Sequence, residues 1–127
     1  MPDSCGTVGA KVLAIEAWCE GCLNETAAAE QARYASADAH GPNAAMLATI
    51  ARDEAEHAEL AWSVLAWVLE IAPEVAAVLA EAPASPIVES GSTDRALTRF
   101  GVPTARVAAA ARDYAETSAR SRLHTMS

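Results

Sequence analysis

The chain has 127 residues, is 52% hydrophobic with few aromatics, and carries a formal net charge of −8. That length holds one domain, or one domain with a tail, and the acidic balance argues against a nucleic-acid partner. No apolar run approaches a membrane span, and Met1-Pro2-Asp3-Ser4-Cys5 lacks the basic and apolar pattern of a signal peptide, so no membrane partner and a cytoplasmic location are expected.

Alanine enrichment, with Leu, Glu and Arg and no strand alternation, favours an all-α fold. Residues 1–9 read as a loose start. A first helix is expected to begin between Thr7 and Lys11 and to run to about Asp38. Its apolar stripe at steps of three and four reads Ile15, Trp18, Cys22, Glu25, Ala29, Ala32, and Glu25 interrupts it. Gly21, Ala28 and Ala29 leave room beside that carboxylate. Three cysteines make an odd set, so no disulfide framework is expected. Cys19 and Cys22 form a weak metal or redox signal; Cys22, on the stripe, is expected to pack as a small apolar residue.

His40-Gly41-Pro42-Asn43 is a breaker that should fold two helices into an antiparallel hairpin. The second helix is expected from Pro42 to Ala72, ended by Pro73, which cannot continue the ladder. Its stripe reads Leu47, Ile50, Ala61, Val64, Val68, Ile71, with Glu54 and His57 at the two missing positions. Residues three apart project from one side of a helix, and neither type is usually buried without a partner. Asp53, Glu56 and Glu59 fall off the stripe. Counted from Gly41, Glu25 lies 16 residues before, Glu54 13 after and His57 16 after. At about 1.5 Å rise per residue the three sit at similar depth along the hairpin. Together they form half of a metal site.

Pro73-Glu74-Val75 restarts a short helical piece to about Glu81. Ala82-Pro83-Ala84-Ser85-Pro86 reads as a linker, which divides the chain into a helical hairpin over 8–82 and a linker with helical extension over 83–127. In the extension a short helix is expected over Asp94 to Phe100, stopped by Gly101. A last helix opened by Pro103 follows, with Val107, Ala110, Ala111 and Tyr114 apolar and Arg112, Arg120 and Arg122 polar, and its end fraying from His124. Residues 1–82 hold thirteen acids against Lys11, Arg33 and Arg52, whereas residues 83–127 hold four acids against six arginines. Trp18, Trp62 and Trp67 are read as core or interface anchors, and Tyr34 as a packing residue with a redox role as the alternative.

Glu25 within Glu20-Gly21-Cys22-Leu23-Asn24-Glu25-Thr26, followed by Glu54 and His57 within Ile50-Ala51-Arg52-Asp53-Glu54-Ala55-Glu56-His57-Ala58, resembles half of a ferritin-like di-iron carboxylate protein. In that family one Glu from each of two helices joins a Glu-x-x-His pair from each of two others. His57-Ala58-Glu59-Leu60-Ala61-Trp62 and Phe100-Gly101-Val102-Pro103 also look similar to bacterial ferritin-like domain proteins. The resemblance covers roughly residues 10–72, and 95–127 only weakly.

The family pattern carries the motif twice and this chain once. The resemblance therefore implies a ferritin-like antiparallel hairpin that completes a four-helix bundle by dimerisation, as in encapsulated-ferritin-like proteins, with C-terminal short helices added. It implies a homodimer or higher homo-oligomer, iron (Fe2+/Fe3+) or Mn held by Glu25, Glu54 and His57 of both chains, and ferroxidase or di-iron oxidase activity. Two further readings are open: a metal storage or delivery protein without turnover, and a helical interaction module with a lapsed site that uses Trp18 and Trp67 as contact surface.

Overall fold

A computed structural model describes residues 4–82 and 104–126, with side chains from residue 9 onward in its first helix. The described residues are all-helical: α1 (Ser4–Glu16), a π-helical segment (Ala17–Glu25), α2 (Thr26–Asp38), α3 (Pro42–Ile71), α4 (Val75–Glu81) and α5 (Ala105–Met126). The linker at Ala82–Pro86, beyond Ala82, and the short helix expected over Asp94 to Phe100 lie outside the described residues.

The first three segments form one rod. Glu16, Glu25 and Thr26, at the junctions, all keep right-handed helical backbone angles. The rod starts at Ser4, earlier than the composition suggested, and ends at Asp38 as expected. Gly41 then turns the chain with φ +61° and ψ −137°, a region open essentially to glycine, and Pro42 opens α3 in the first turn, where its missing N–H is no loss. The α3 helix stops at Ile71; Ala72 still donates to the Val68 carbonyl at 2.8 Å before Pro73 breaks the ladder.

One main core runs through the molecule. Ala14, Trp18, Cys22 and Leu23 of the rod meet Trp62, Leu65 and Val68 of α3, Val75 and Leu79 of α4, and Ala119 and Leu123 of α5. Trp18 and Trp62 pack edge to face with ring centroids 6.0 Å apart, a geometry that adds about 1 kcal/mol to their burial. Ala35, Ala39 and Leu47 form a smaller cluster at the turn end. No polar or charged residue is fully buried among the described residues.

Several sequence expectations change. Trp18 is fully buried and so is not contact surface, whereas Trp67 is more than half exposed. The buried face of α3 is Leu47, Ala58, Trp62, Leu65 and Val68, so Ile50 and Ile71 of the expected stripe turn to solvent. Ile15 does the same on the rod. There Ala14, four residues before Trp18, takes the buried place, and in the π segment, whose bonds run i→i+5, burial falls on Trp18, Gly21, Cys22 and Leu23 before Ala27 and Ala32. Tyr34 is partly exposed beneath the Arg33 guanidinium, which lies 4.5 Å from the ring centre. The last helix does not fray at His124 but continues to Met126, and Thr104 caps its start by accepting from the Val107 N–H at 3.2 Å.

Candidate metal centre

The rod and α3 run antiparallel, and their approach is set by one glycine. A Cβ built on Gly21 would stand 2.0 Å from the Ala61 Cβ, so only glycine allows the two backbones this close. Four residues further along each helix, that proximity brings Glu25 opposite His57 and Glu54. The turn-depth reckoning from Gly41 therefore holds: the ligand atoms of Glu25, Glu54 and His57 all lie within 4.8 Å of one another.

His57 Nδ1 is 3.7 Å from Glu25 Oε2 and 3.9 Å from Glu54 Oε1. Two atoms that each bind one ion at about 2.1 Å can stand at most about 4.2 Å apart, so both pairs suit a shared cation. Glu25 Oε2 is buried and has no hydrogen-bond partner, His57 Nδ1 lying just beyond reach. An orphaned buried carboxylate oxygen is costly unless something positive or protic faces it. The Glu25 carboxyl is accordingly held above its ordinary range, first by hydrogen bonding of its protonated form to Glu54, then by burial and the Glu54 charge, with His57 pulling the other way. Two carboxylates and an imidazole are a donor set of the kind that divalent transition metals take.

Exposure is graded across the triad. Glu25 and Glu54 side chains are about two-thirds buried or more, at 32% and 27% exposed, but His57 is 61% exposed. The sequence stripe placed His57 on a buried face, and the structure corrects this. The imidazole sits on the open flank of the hairpin.

Cys19 and Cys22 are free thiols and neither joins the triad. Burial, the main cause, pushes Cys22 up to about 12, which makes it an inert packing group. Sequence reasoning missed a second constellation on the other side of the hairpin. Arg122 of α5 donates through both Nη atoms to the Glu59 carboxylate and lies over the Trp62 ring, 4.5 Å from its centre. These residues help line a cavity of about 350 Å³ that also includes Cys22, Glu30 and Tyr114. The signal for this pair was the arginine excess of the last forty-odd residues, but its partner could not be chosen without the fold.

No family model, curated protein or solved structure matches the chain. Among the described residues, the fold and the site together define an all-helical arrangement with a Glu–Glu–His cluster close enough to hold a metal.

Proposed function

We propose that the chain is a metal-binding helical protein of ferritin-like type, with Glu25, Glu54 and His57 as ligands to iron or manganese and a second chain supplying the other half of a di-metal site. The observation that carries this reading is the buried, unpartnered Glu25 Oε2 facing His57 Nδ1 and the Glu54 carboxylate. Three protein donors do not enclose a cation, and the exposed flank at His57 is where further donors can come from.

The residues divide the work by position. Glu25 and Glu54 supply the negative charge that a divalent cation neutralises, −2 per chain, so one ion per chain leaves no formal charge in the half-buried cleft. His57 adds a neutral donor from the solvent side. When bound there, iron would supply oxidation chemistry with O2 or peroxide, which makes ferroxidase activity the expected reaction.

Anaerobic titration with Fe(II), followed by admission of oxygen and measurement of ferric absorbance, tests the reading. Saturation at one iron per chain is expected, with binding weakened at least tenfold in Glu25→Ala, Glu54→Ala and His57→Ala. Rapid ferric absorbance supports oxidation, whereas binding without it points to storage or delivery. Undiminished binding in all three variants overturns the site.

A further inference from the structure

The exposed face of α3 is not a scatter of apolar residues. Met46, Ile50, Leu60, Trp67 and Ile71 are between 40% and 66% exposed, and with half-buried Val64 they fall on one line. Adding Asp53 and His57, the positions 46, 50, 53, 57, 60, 64, 67 and 71 advance by alternating fours and threes. That is the seam of a helix meant to pack on another helix. It runs from Met46 to Ile71, 26 residues and roughly 38 Å. Single exposed apolar residues need no explanation, but a periodic line of this length does.

The occupant follows from the two polar positions of the seam. An antiparallel copy meets a seam of the same phase, because the step series reads alike from either end. With a two-fold axis level with Ala55, Asp53 faces the partner's His57 and His57 faces the partner's Asp53, while Ile50 meets the partner's Leu60 and Met46 the partner's Val64. The overlap of the two seams then runs from Met46 to Val64, and Trp67 and Ile71 extend past it. A shift of one heptad would set Asp53 against the partner's Val64 and bury a carboxylate among apolar groups. A parallel pair would set Asp53 against the partner's Asp53. Polar seam positions commonly specify register in this way.

The same register addresses the open side of the metal site. His57 Nδ1 faces Glu25 and Glu54, which leaves Nε2 for a group outside the chain. Metal-bound histidines usually donate their other ring N–H to a carboxylate or carbonyl, which sets ring orientation and donor strength. We infer that the α3 seam docks a second copy of the chain, antiparallel and with its two-fold axis level with Ala55, so that the partner's Asp53 orients each His57. This rests on the reading of Glu25, Glu54 and His57 as ligands, and it assigns Asp53, which contacts no ligand within its own chain's triad, as a positioning residue in trans.

Light scattering at micromolar concentration, with Zn(II) titration alongside, separates the two ideas. Wild type should be dimeric; Leu60→Lys should be monomeric with helicity retained and should bind Zn(II) at least tenfold more weakly. Asp53→Ala should keep the dimer but weaken Zn(II), with Asp53→Glu recovering part of the loss. The register is read by oxidative cross-linking against a wild-type thiol baseline: Ile50→Cys with Leu60→Cys should give a covalent dimer, and Asp53→Cys with Val64→Cys should not. A Leu60→Lys dimer overturns the seam even if Zn(II) binds. The reverse cross-linking pattern overturns the register. A wild-type dimer broken by Leu60→Lys that never binds Zn(II) or Fe(II) keeps the interface and overturns the metal reading instead.

Discussion

Glu25 shows how one side chain can work against the metal-free fold. Its carboxyl is raised above the ordinary value because its protonated form bonds to Glu54 and because burial penalises its charge. For a raised acid, the folded state holds its proton more tightly than the unfolded state, so stability grows as pH falls through the raised value and is lost as pH climbs through it. Replacing Glu25 and Glu54 together by Gln should therefore raise the melting temperature of the metal-free protein at pH 7 by a few degrees and flatten its mildly acidic pH dependence. A metal held as proposed would act on the same groups from the other direction. Fe(II) or Zn(II) should raise the melting temperature of wild type and leave the double variant unmoved, since only a ligand bound to the folded state stabilises it. Scanning calorimetry from pH 5 to 8, with and without Zn(II), reads all of this; a Zn(II) response that survives the double change puts the ligands elsewhere.

At the scale of the helix, the rod and α3 are held in register by Gly21. Gly21→Ala forces a Cβ into the Ala61 Cβ, and a backbone must move because neither group is the far end of a flexible chain. Overpacking of this kind costs about 1–3 kcal/mol, opposed by a helix-propensity gain of under about 1 kcal/mol. The melting temperature should fall by several degrees, and Ala61→Gly should restore part of it in the double variant. An unchanged or higher melting temperature for Gly21→Ala contradicts the close approach. The hairpin and the convergence of Glu25, Glu54 and His57 were readable in the sequence because they rest on a Gly-Pro turn and a count of residues at fixed rise. The angular positions were harder to read. A stripe at steps of three and four assumes α-helix throughout, and the π segment breaks that assumption where no sequence rule marks it. On α3 two stripes overlap, one through Leu47, Leu65 and Val68 and one through Met46, Ile50 and Trp67. The rod, packed along α3 from the π segment to α2, decides which of them is covered.

For the molecule as a whole, α5 closes the far side of the hairpin through arginines. The Arg120 guanidinium donates to the Ala80 carbonyl at 3.0 Å and the Ala82 carbonyl at 2.8 Å, the two oxygens left open as α4 ends, and also to Glu116 at 3.2 Å. One planar fork satisfies three acceptors, which a lysine ammonium on a flexible stem cannot match. Arg120→Lys should cost about 1–2 kcal/mol. Hydrogen exchange is the better readout: protection of the α4 amides should drop while that of α3 stays. Equal loss in both helices would show that α4 has no separate attachment. Arg122, by contrast, pairs with an exposed Glu59, so that ion pair adds little beyond the cover it gives Trp62.

The wide turn between Ala17 and Glu25 has a genetic consequence. It amounts to a surplus residue in an otherwise regular helix, and a single-codon deletion there would leave a sequence able to form an unbroken α-helix. With one residue gone between Trp18 and Glu25 the two stand six apart, about 600° round a regular helix, so Glu25 stays about 120° off the Trp18 line. Straightening the segment without a deletion would instead leave them seven apart, nearly two whole α turns, and swing Glu25 into line with Trp18. The surplus residue and the wide turn therefore compensate each other. An allele that lost one codon between these positions would encode a chain that folds with Trp18 against Trp62 and still carries Glu25 toward His57.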